Sequence, residues 1–303
     1  MDLEFYTLDV FTDEQFAGNP LAVVLDADAL SSERMAQIAR EFNLSETVFV
    51  LKPENPAHSA RVRIFTPAAE LPFAGHPTIG TGTLLAELRA SQVGSGGSAL
   101  VTLEENIGLV RVGVRMADNA ASFAEFDAPK LPVEVGAVPS RDDLASAVGL
   151  IPSEIGFANH RPTRFSAGPE FTFVPVASLS AMGKAAANLG RWREAFADLD
   201  DAGAFLYTSQ VVHGAAHYHA RMFAPMHGIM EDPATGSAAA AFAGVIAKFD
   251  EPPSGTHKRN IEQGLEMGRP SSISLSVEIA NAQLTNVRIG GHSVRVSQGR
   301  IRV

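Results

Sequence analysis

The chain contains no cysteine. Disulfides, thiolate metal sites and thiol nucleophiles are therefore excluded, and the redox compartment is left open. Basic residues are outnumbered, with 24 Lys and Arg against 34 Asp and Glu and a formal net charge of -10. A phosphate backbone needs a basic face, so nucleic acid is not an expected partner. No apolar run approaches the length of a membrane span, and Met1-Asp2-Leu3-Glu4 is acidic where a secretory signal is basic. These absences predict a soluble, cytoplasmic protein that engages no membrane. What is present is 303 residues at 46% hydrophobic content, enough for two domains with a core each.

The most informative stretch is Glu231-Asp232-Pro233-Ala234-Thr235-Gly236-Ser237-Ala238, followed by an apolar run of small residues from Ala239 to Ile246. His217 to Phe223 reads as a strand, Pro225 and Gly228 as a turn, and the Ala-rich run as a buried helix. Thr235, Gly236 and Ser237 then lie at a helix start, where unpaired N–H groups and the positive dipole end suit an anion. The competing reading is an ordinary cap, with Asp232 or Thr235 capping a core helix that binds nothing.

A second copy of the pattern favours the anion site. Arg63-Ile64-Phe65-Thr66-Pro67 leads to Phe73-Ala74-Gly75-His76-Pro77-Thr78 and a helix-like Thr83 to Leu88; Arg221-Met222-Phe223-Ala224-Pro225 leads to Gly236-Ser237 and a helix. The offsets are 158 (221 minus 63) at the strand and 161 (236 minus 75) at the glycine, a little over half the chain. That spacing predicts a duplicated domain. A pseudo-twofold between the halves would aim both helix starts at a small acidic molecule in the cleft between them.

Elsewhere, Leu3 to Phe11 and Leu21 to Leu25 read as strands around Phe16-Ala17-Gly18-Asn19-Pro20, where Asn19 is a turn residue or, if the loop faces a ligand, a side-chain donor. Ser31 to Phe42 has helical apolar spacing with Ser31 or Ser32 as cap. Thr47 to Leu51 is a strand, which places Glu46 at its mouth. A solvated Glu46 would do nothing; buried among Leu44, Val48 and phenylalanines, its pKa would rise from about 4.3 toward neutrality and fit it to take and return a proton. Val93 to Ser98 turns the chain, Ala99 to Leu103 and Leu109 to Met116 form a β pair, and Pro129-Lys130-Leu131-Pro132 is the best linker candidate. Ser178 to Leu199 reads as a helix interrupted at Gly190, and Glu251 to Asn260 as a loop. Ser272 to Ile279, Gln283 to Ile289 and Ser293 to Val303 close the chain as strands. Mainly antiparallel strands with few helices place the chain in the α+β class.

Other chemistries fit poorly. Gly75 and Gly80 have Walker spacing, but Thr81 stands where the phosphate-binding Lys belongs. Gly80-Thr81-Gly82 lacks the third glycine of a dinucleotide site, and no G-x-S-x-G elbow is present, which leaves Ser237 a donor rather than a nucleophile. His213, His217, His219 and His227 invite a metal, but without H-E-x-x-H spacing no metal site is expected. His76, at a proposed helix terminus, is a donor to a carboxylate or a proton relay; its alternative is a capping role.

Together, Asn19-Pro20, Asn43-Leu44-Ser45-Glu46-Thr47, Phe73 to Thr78, Glu231 to Ala238 and Glu262-Gln263-Gly264-x-x-Met267-Gly268-Arg269-Pro270 resemble the phenazine-biosynthesis PhzF family, which shares the diaminopimelate epimerase fold. The resemblance implies two pseudo-symmetric domains, each a curved, mostly antiparallel sheet around a central helix, divided here at 1–117 and 118–303 with the final strand a candidate to return to the first. It also implies a homodimer and a cofactor-independent isomerase. The two catalytic cysteines of the epimerases have no counterpart; His76 and Ser237 hold the matching positions. By resemblance, Glu46 shuttles a proton between carbons of the substrate. Ser45, His76 and Asp232 orient the substrate and its proton, while Gly75, Gly236 and Ser237 hold its carboxylate. The alternative is a non-catalytic protein that keeps the small-acid cleft.

Overall fold

In a computed structural model that describes residues 1–93, 97–117, 120–197, 199 and 203–303, the chain divides into Met1–Pro129 with Gly290–Val303, and Lys130–Ile289. The division falls at Pro129 rather than at 117, because the strand after residue 117 is hydrogen-bonded to the one before it. The linker candidate Pro129 to Pro132 lies at this junction. The turn expected over Val93 to Ser98 lies in part outside the described residues.

The first unit runs β1 (Asp2–Val10), β2 (Asn19–Val24), α1 (Ser32–Phe42), β3 (Glu46–Leu51), β4 (Ala60–Phe65), β5 (Glu70–Leu71), α2 (Gly75–Val93), β6 (Ser98–Glu105), β7 (Gly108–Arg115) and β8 (Ser122–Asp127). Ser31 caps α1 by accepting the Arg34 N–H, and Met35, Ile38 and Ala39 bury its apolar face. The start of α2 is enclosed on all sides, which suits its small residues. A Cβ at Gly80 would come within 2.6 Å of Leu21 and 2.8 Å of Val10.

The second unit runs β9 (Val133–Glu134), α3 (Arg141–Ala147), β10 (Thr163–Ser166), β11 (Glu170–Pro175), α4 (Leu179–Lys184), α5 (Leu189–Ala195), β12 (Ala204–Thr208), β13 (Tyr218–Ala224), β14 (Ile229–Asp232), α6 (Gly236–Phe249), β15 (Gly255–Gln263) and β16 (Ser271–Ala280). A final strand, β17 (Gln283–Arg302), carries the chain back to the first unit, where Ser293 to Arg302 pair with β1. Along α6, Ala238 to Ala241 are buried, and Phe242 meets the rings of Phe173, Phe205, Tyr207 and Tyr218 at 4.7–5.8 Å.

Each unit shows the same succession of strand pairings. β1/β2 is antiparallel, β2/β3 parallel, β3/β4 and β4/β5 antiparallel, β4/β6 parallel and β6/β7 antiparallel. β10/β11, β11/β12, β12/β13, β13/β14, β13/β15 and β15/β16 repeat those senses in order. Both units are α+β, with a mixed sheet and one long buried helix.

The internal details of the repeated motif agree as well. Arg63 grips both oxygens of Glu70 at 2.8 and 2.6 Å, and Arg221 grips both of Glu231 at 2.8 and 2.8 Å. Each guanidinium also lies over the ring two residues on, at 5.1 Å from Phe65 and 4.9 Å from Phe223. The offset from Glu70 to Glu231, 161, equals that from Gly75 to Gly236.

Two expectations are corrected. The helix expected over Ser178 to Leu199 is two short helices, and the break lies at 185–188 rather than at Gly190, which is inside α5. There the Ala186 and Asn188 amides donate to the Val148 and Ala147 carbonyls, so tertiary partners replace helical ones. The segment expected as a loop over Glu251 to Asn260 is in large part β15, held by its register with β16.

Candidate active site

In the first unit the parallel pairing of β2 with β3 sets Leu21 opposite Glu46 and starts β2 at Asn19. Asn19 and Glu46 are buried and Ser45 is half-buried. α2 begins at Gly75, so His76 occupies its first turn, where Pro77 removes one N–H that would lack an intrahelical partner. His76 Nε2 lies 3.2 Å from Glu46 Oε2, in an approach that is not aligned as a hydrogen bond. Burial pushes the His76 imidazole down to about 3. At neutral pH it is therefore an uncharged ring beside a carboxyl group, able to donate from one nitrogen and accept at the other.

In the second unit, Asp232 ends β14 and is buried, with Gly236 buried and Ser237 half-buried at the start of α6. Thr235 is the N-cap residue, yet its side chain makes no capping bond; the hydroxyl donates to Asp232 Oδ2 at 2.5 Å. The Thr235 side chain thus leaves the first-turn amides of α6 uncapped by its own hydroxyl. Gln263 fixes this turn. Its Nε2 donates to the Asp232 carbonyl at 2.8 Å and to Thr235 Oγ1 at 3.1 Å, and its Oε1 accepts the Thr235 N–H at 3.2 Å. Only one orientation of the amide satisfies all three, since the other would set oxygen against the Asp232 carbonyl. In sequence Gln263 is part of the Glu262-Gln263-Gly264 motif, and nothing local to it marks a bond to the start of α6.

Three of the four histidines are engaged elsewhere. His219 sits between Glu262 and Glu266, 2.9 Å from each, while His213 Nδ1 also meets Glu262 at 2.9 Å. Burial works against charge on His219, but the two carboxylates outweigh it and raise its pKa. His217 accepts the Asn260 N–H. Among the described residues no group of three or more His, Asp or Glu side chains could hold a metal ion, and no helix is long and apolar enough to cross a membrane.

The structure thus sets Asn19, Ser45, Glu46, Gly75 and His76 at neighbouring strand and helix starts of the first unit, and Asp232, Gly236 and Ser237 on one turn of the second. A buried carboxyl lies beside a neutral imidazole at the start of a helix. The chain belongs to the PhzC-PhzF family, described as phenazine biosynthesis-like protein, which it matches over residues 8–299. It is 49% identical to an uncharacterized isomerase of Mesorhizobium japonicum, over 97% of this chain and 96% of that one. It is 34% identical to the trans-2,3-dihydro-3-hydroxyanthranilate isomerase of Pseudomonas aeruginosa, over 98% of both. Among solved structures, the phenazine biosynthesis protein of the PhzF family from Bacillus anthracis superposes with a TM-score of 0.88 at 25% identity, covering 100% of both chains.

Proposed function

We propose that this protein is a cofactor-independent isomerase that moves a proton on a small carboxylate-bearing molecule, with Glu46 as general acid and base. The observation that carries this reading is the buried 3.2 Å approach of His76 to Glu46 at the start of α2. Glu46 takes a proton from one carbon as a carboxylate and, now the acid, returns it to another carbon as the double bond shifts. Atoms and charge balance without a co-reactant. His76 orients the carboxyl, and the α2 amides at Gly75 receive negative charge on the substrate. Ser45 and Asn19 are assigned as substrate donors. Asp232, Gly236 and Ser237 are assigned to orienting the substrate and holding its carboxylate.

The repeated pairing pattern supports a duplication with pseudo-symmetric, epimerase-like halves, and the register shows what the second half lacks. Thr47 faces Phe65 and Ala204 faces Phe223. With the two phenylalanines equivalent, the counterpart of Glu46 is Gly203, whose φ is +149° and whose Cβ would lie 2.4 Å from the Phe223 carbonyl oxygen. No side chain fits there. One carboxyl instead of two supports removal and return of the proton by a single group. A homodimer in the cytoplasm is part of the same reading.

The test uses trans-2,3-dihydro-3-hydroxyanthranilate, the compound that names the Pseudomonas aeruginosa relative, with protein exhaustively treated with chelator. Isomerisation at an undiminished rate after chelation supports the proposal. Binding without turnover would instead make the chain a small-acid binding protein.

A further inference from the structure

Glu105 ends β6 on the inward face shared by Val101 and Leu103, and it is 7% exposed. Thr78, one turn into α2, lies between it and the helix start: Thr78 Oγ1 is 2.8 Å from the Ala74 carbonyl oxygen and 2.7 Å from Glu105 Oε1. A hydroxyl has one proton. The Ala74 carbonyl can only accept, so the two contacts are hydrogen bonds together only when the hydroxyl donates to Ala74 and Glu105 supplies its own proton. Glu105 Oε2 is buried without a hydrogen-bond partner, a setting far costlier for an ionised carboxylate than for an acid.

The repeated register supplies an independent observation. Ala60 of β4 faces Leu103, and Tyr218 of β13 faces Ile261. Since Ala60 and Tyr218 each precede their Arg-x-Phe arginine by three residues, Leu103 corresponds to Ile261 and Glu105 to Gln263. The neighbours agree: Glu104 accepts the Glu54 and Asn55 N–H groups and meets His58, while Glu262 accepts the Val212 and His213 N–H groups and meets His213. Under each long helix the same position carries a planar group that meets a threonine, Thr78 in the first turn of α2 and Thr235 just before α6. In one unit it is a carboxamide, which cannot ionise.

We propose that Glu105 works as a neutral carboxylic acid, the counterpart of Gln263, and is a positioning residue that fixes, through Thr78 and the Ala74 carbonyl, the α2 start carrying Gly75 and His76. Its kinetic consequence rests on the isomerase reading; its protonation does not. The charged side chains on the packed strands point away. Glu104 lies on the outward face of β6, Arg61 faces Glu104 and Arg111 faces Thr102 on that same side, and the residue opposite Glu105 on β7 is Gly108. On α2 the titratable residue closest in sequence to Thr78 is His76, which is neutral.

The test is infrared difference spectroscopy of the parent protein against E105Q at pH 6.5, with T78V as a second variant. A carboxylic-acid carbonyl band that is present in the parent, lost in E105Q and shifted in T78V is expected. Absence of an acid band, or a carboxylate doublet lost in its place, overturns the proposal whether or not the protein turns over any substrate. With an isomerisation assay in hand, E105Q should keep kcat within about threefold of the parent, since the amide can still donate to Thr78. E105L should lose on the order of 10- to 100-fold in kcat through a displaced His76, with KM little changed. An E105Q variant as impaired as E105L would contradict positioning by a neutral donor.

Discussion

Substitution of Glu105 by Gln should make the protein more stable, and increasingly so as pH rises. Burial raises the Glu105 carboxyl from 4.5 to about 8. A Thr78 hydroxyl that donates to the carboxyl opposes that rise; in the proposed acid form it accepts instead and the opposition is removed. Between these two values the folded chain holds a proton that the unfolded chain has released, so stability falls as pH rises through the window. Each pH unit costs about 1.4 kcal/mol, so the parent loses about 3 kcal/mol by pH 7 and about 5 kcal/mol by pH 8 and above. E105Q has no proton to lose. Urea denaturation followed by circular dichroism at pH 5, 7 and 8.5 should give similar midpoints for parent and variant at pH 5, with the variant ahead by several kcal/mol at pH 8.5. Parallel pH profiles for the two proteins would refute the reasoning.

His76 should show the opposite sign. With its imidazole held at about 3 by burial, its contribution is intact above about 6.5 and is lost as pH falls toward 3; H76N should flatten the acid limb of a stability profile measured by thermal melting. Arg221 is buried and donates to Glu231 and to the Met182 and Ala185 carbonyls. E231Q leaves its charge partly uncompensated and should cost about 3 kcal/mol in denaturant titrations, whereas E54Q at the more exposed Arg61 pair should cost about 1 kcal/mol or less.

Much of this architecture can be read from the chain because its grammar is local. Each Arg-x-Phe-x-Pro strand, turn, glycine and small-residue run occupies a short window, and the helix starts at Gly75 and Gly236 follow from it. What needed coordinates was set by partners distant in sequence. The break between α4 and α5 depends on carbonyls of Ala147 and Val148, and β15, with polar residues from Thr256 to Asn260, becomes a strand only because β16 lies beside it. Glu105 reads in sequence as one more charge in the turn Glu104-Glu105-Asn106. The proposed acid form follows only from Thr78 and from the register that equates Glu105 with Gln263. Glu46 was legible as a carboxyl at a strand mouth, and its approach to His76 was not.

The central claim is that one carboxyl, Glu46, lifts and returns the migrating proton. The most direct measurement is the deuterium content at the protonated carbon when parent and E46Q isomerise trans-2,3-dihydro-3-hydroxyanthranilate in deuterated water. Deuterium at that carbon in the parent's product, gained as the proton held on the carboxyl exchanges with solvent before delivery, together with a rate lowered on the order of 10²- to 10⁴-fold in E46Q, is the result predicted. Isomerisation by E46Q at the parent's rate with the same label would contradict it.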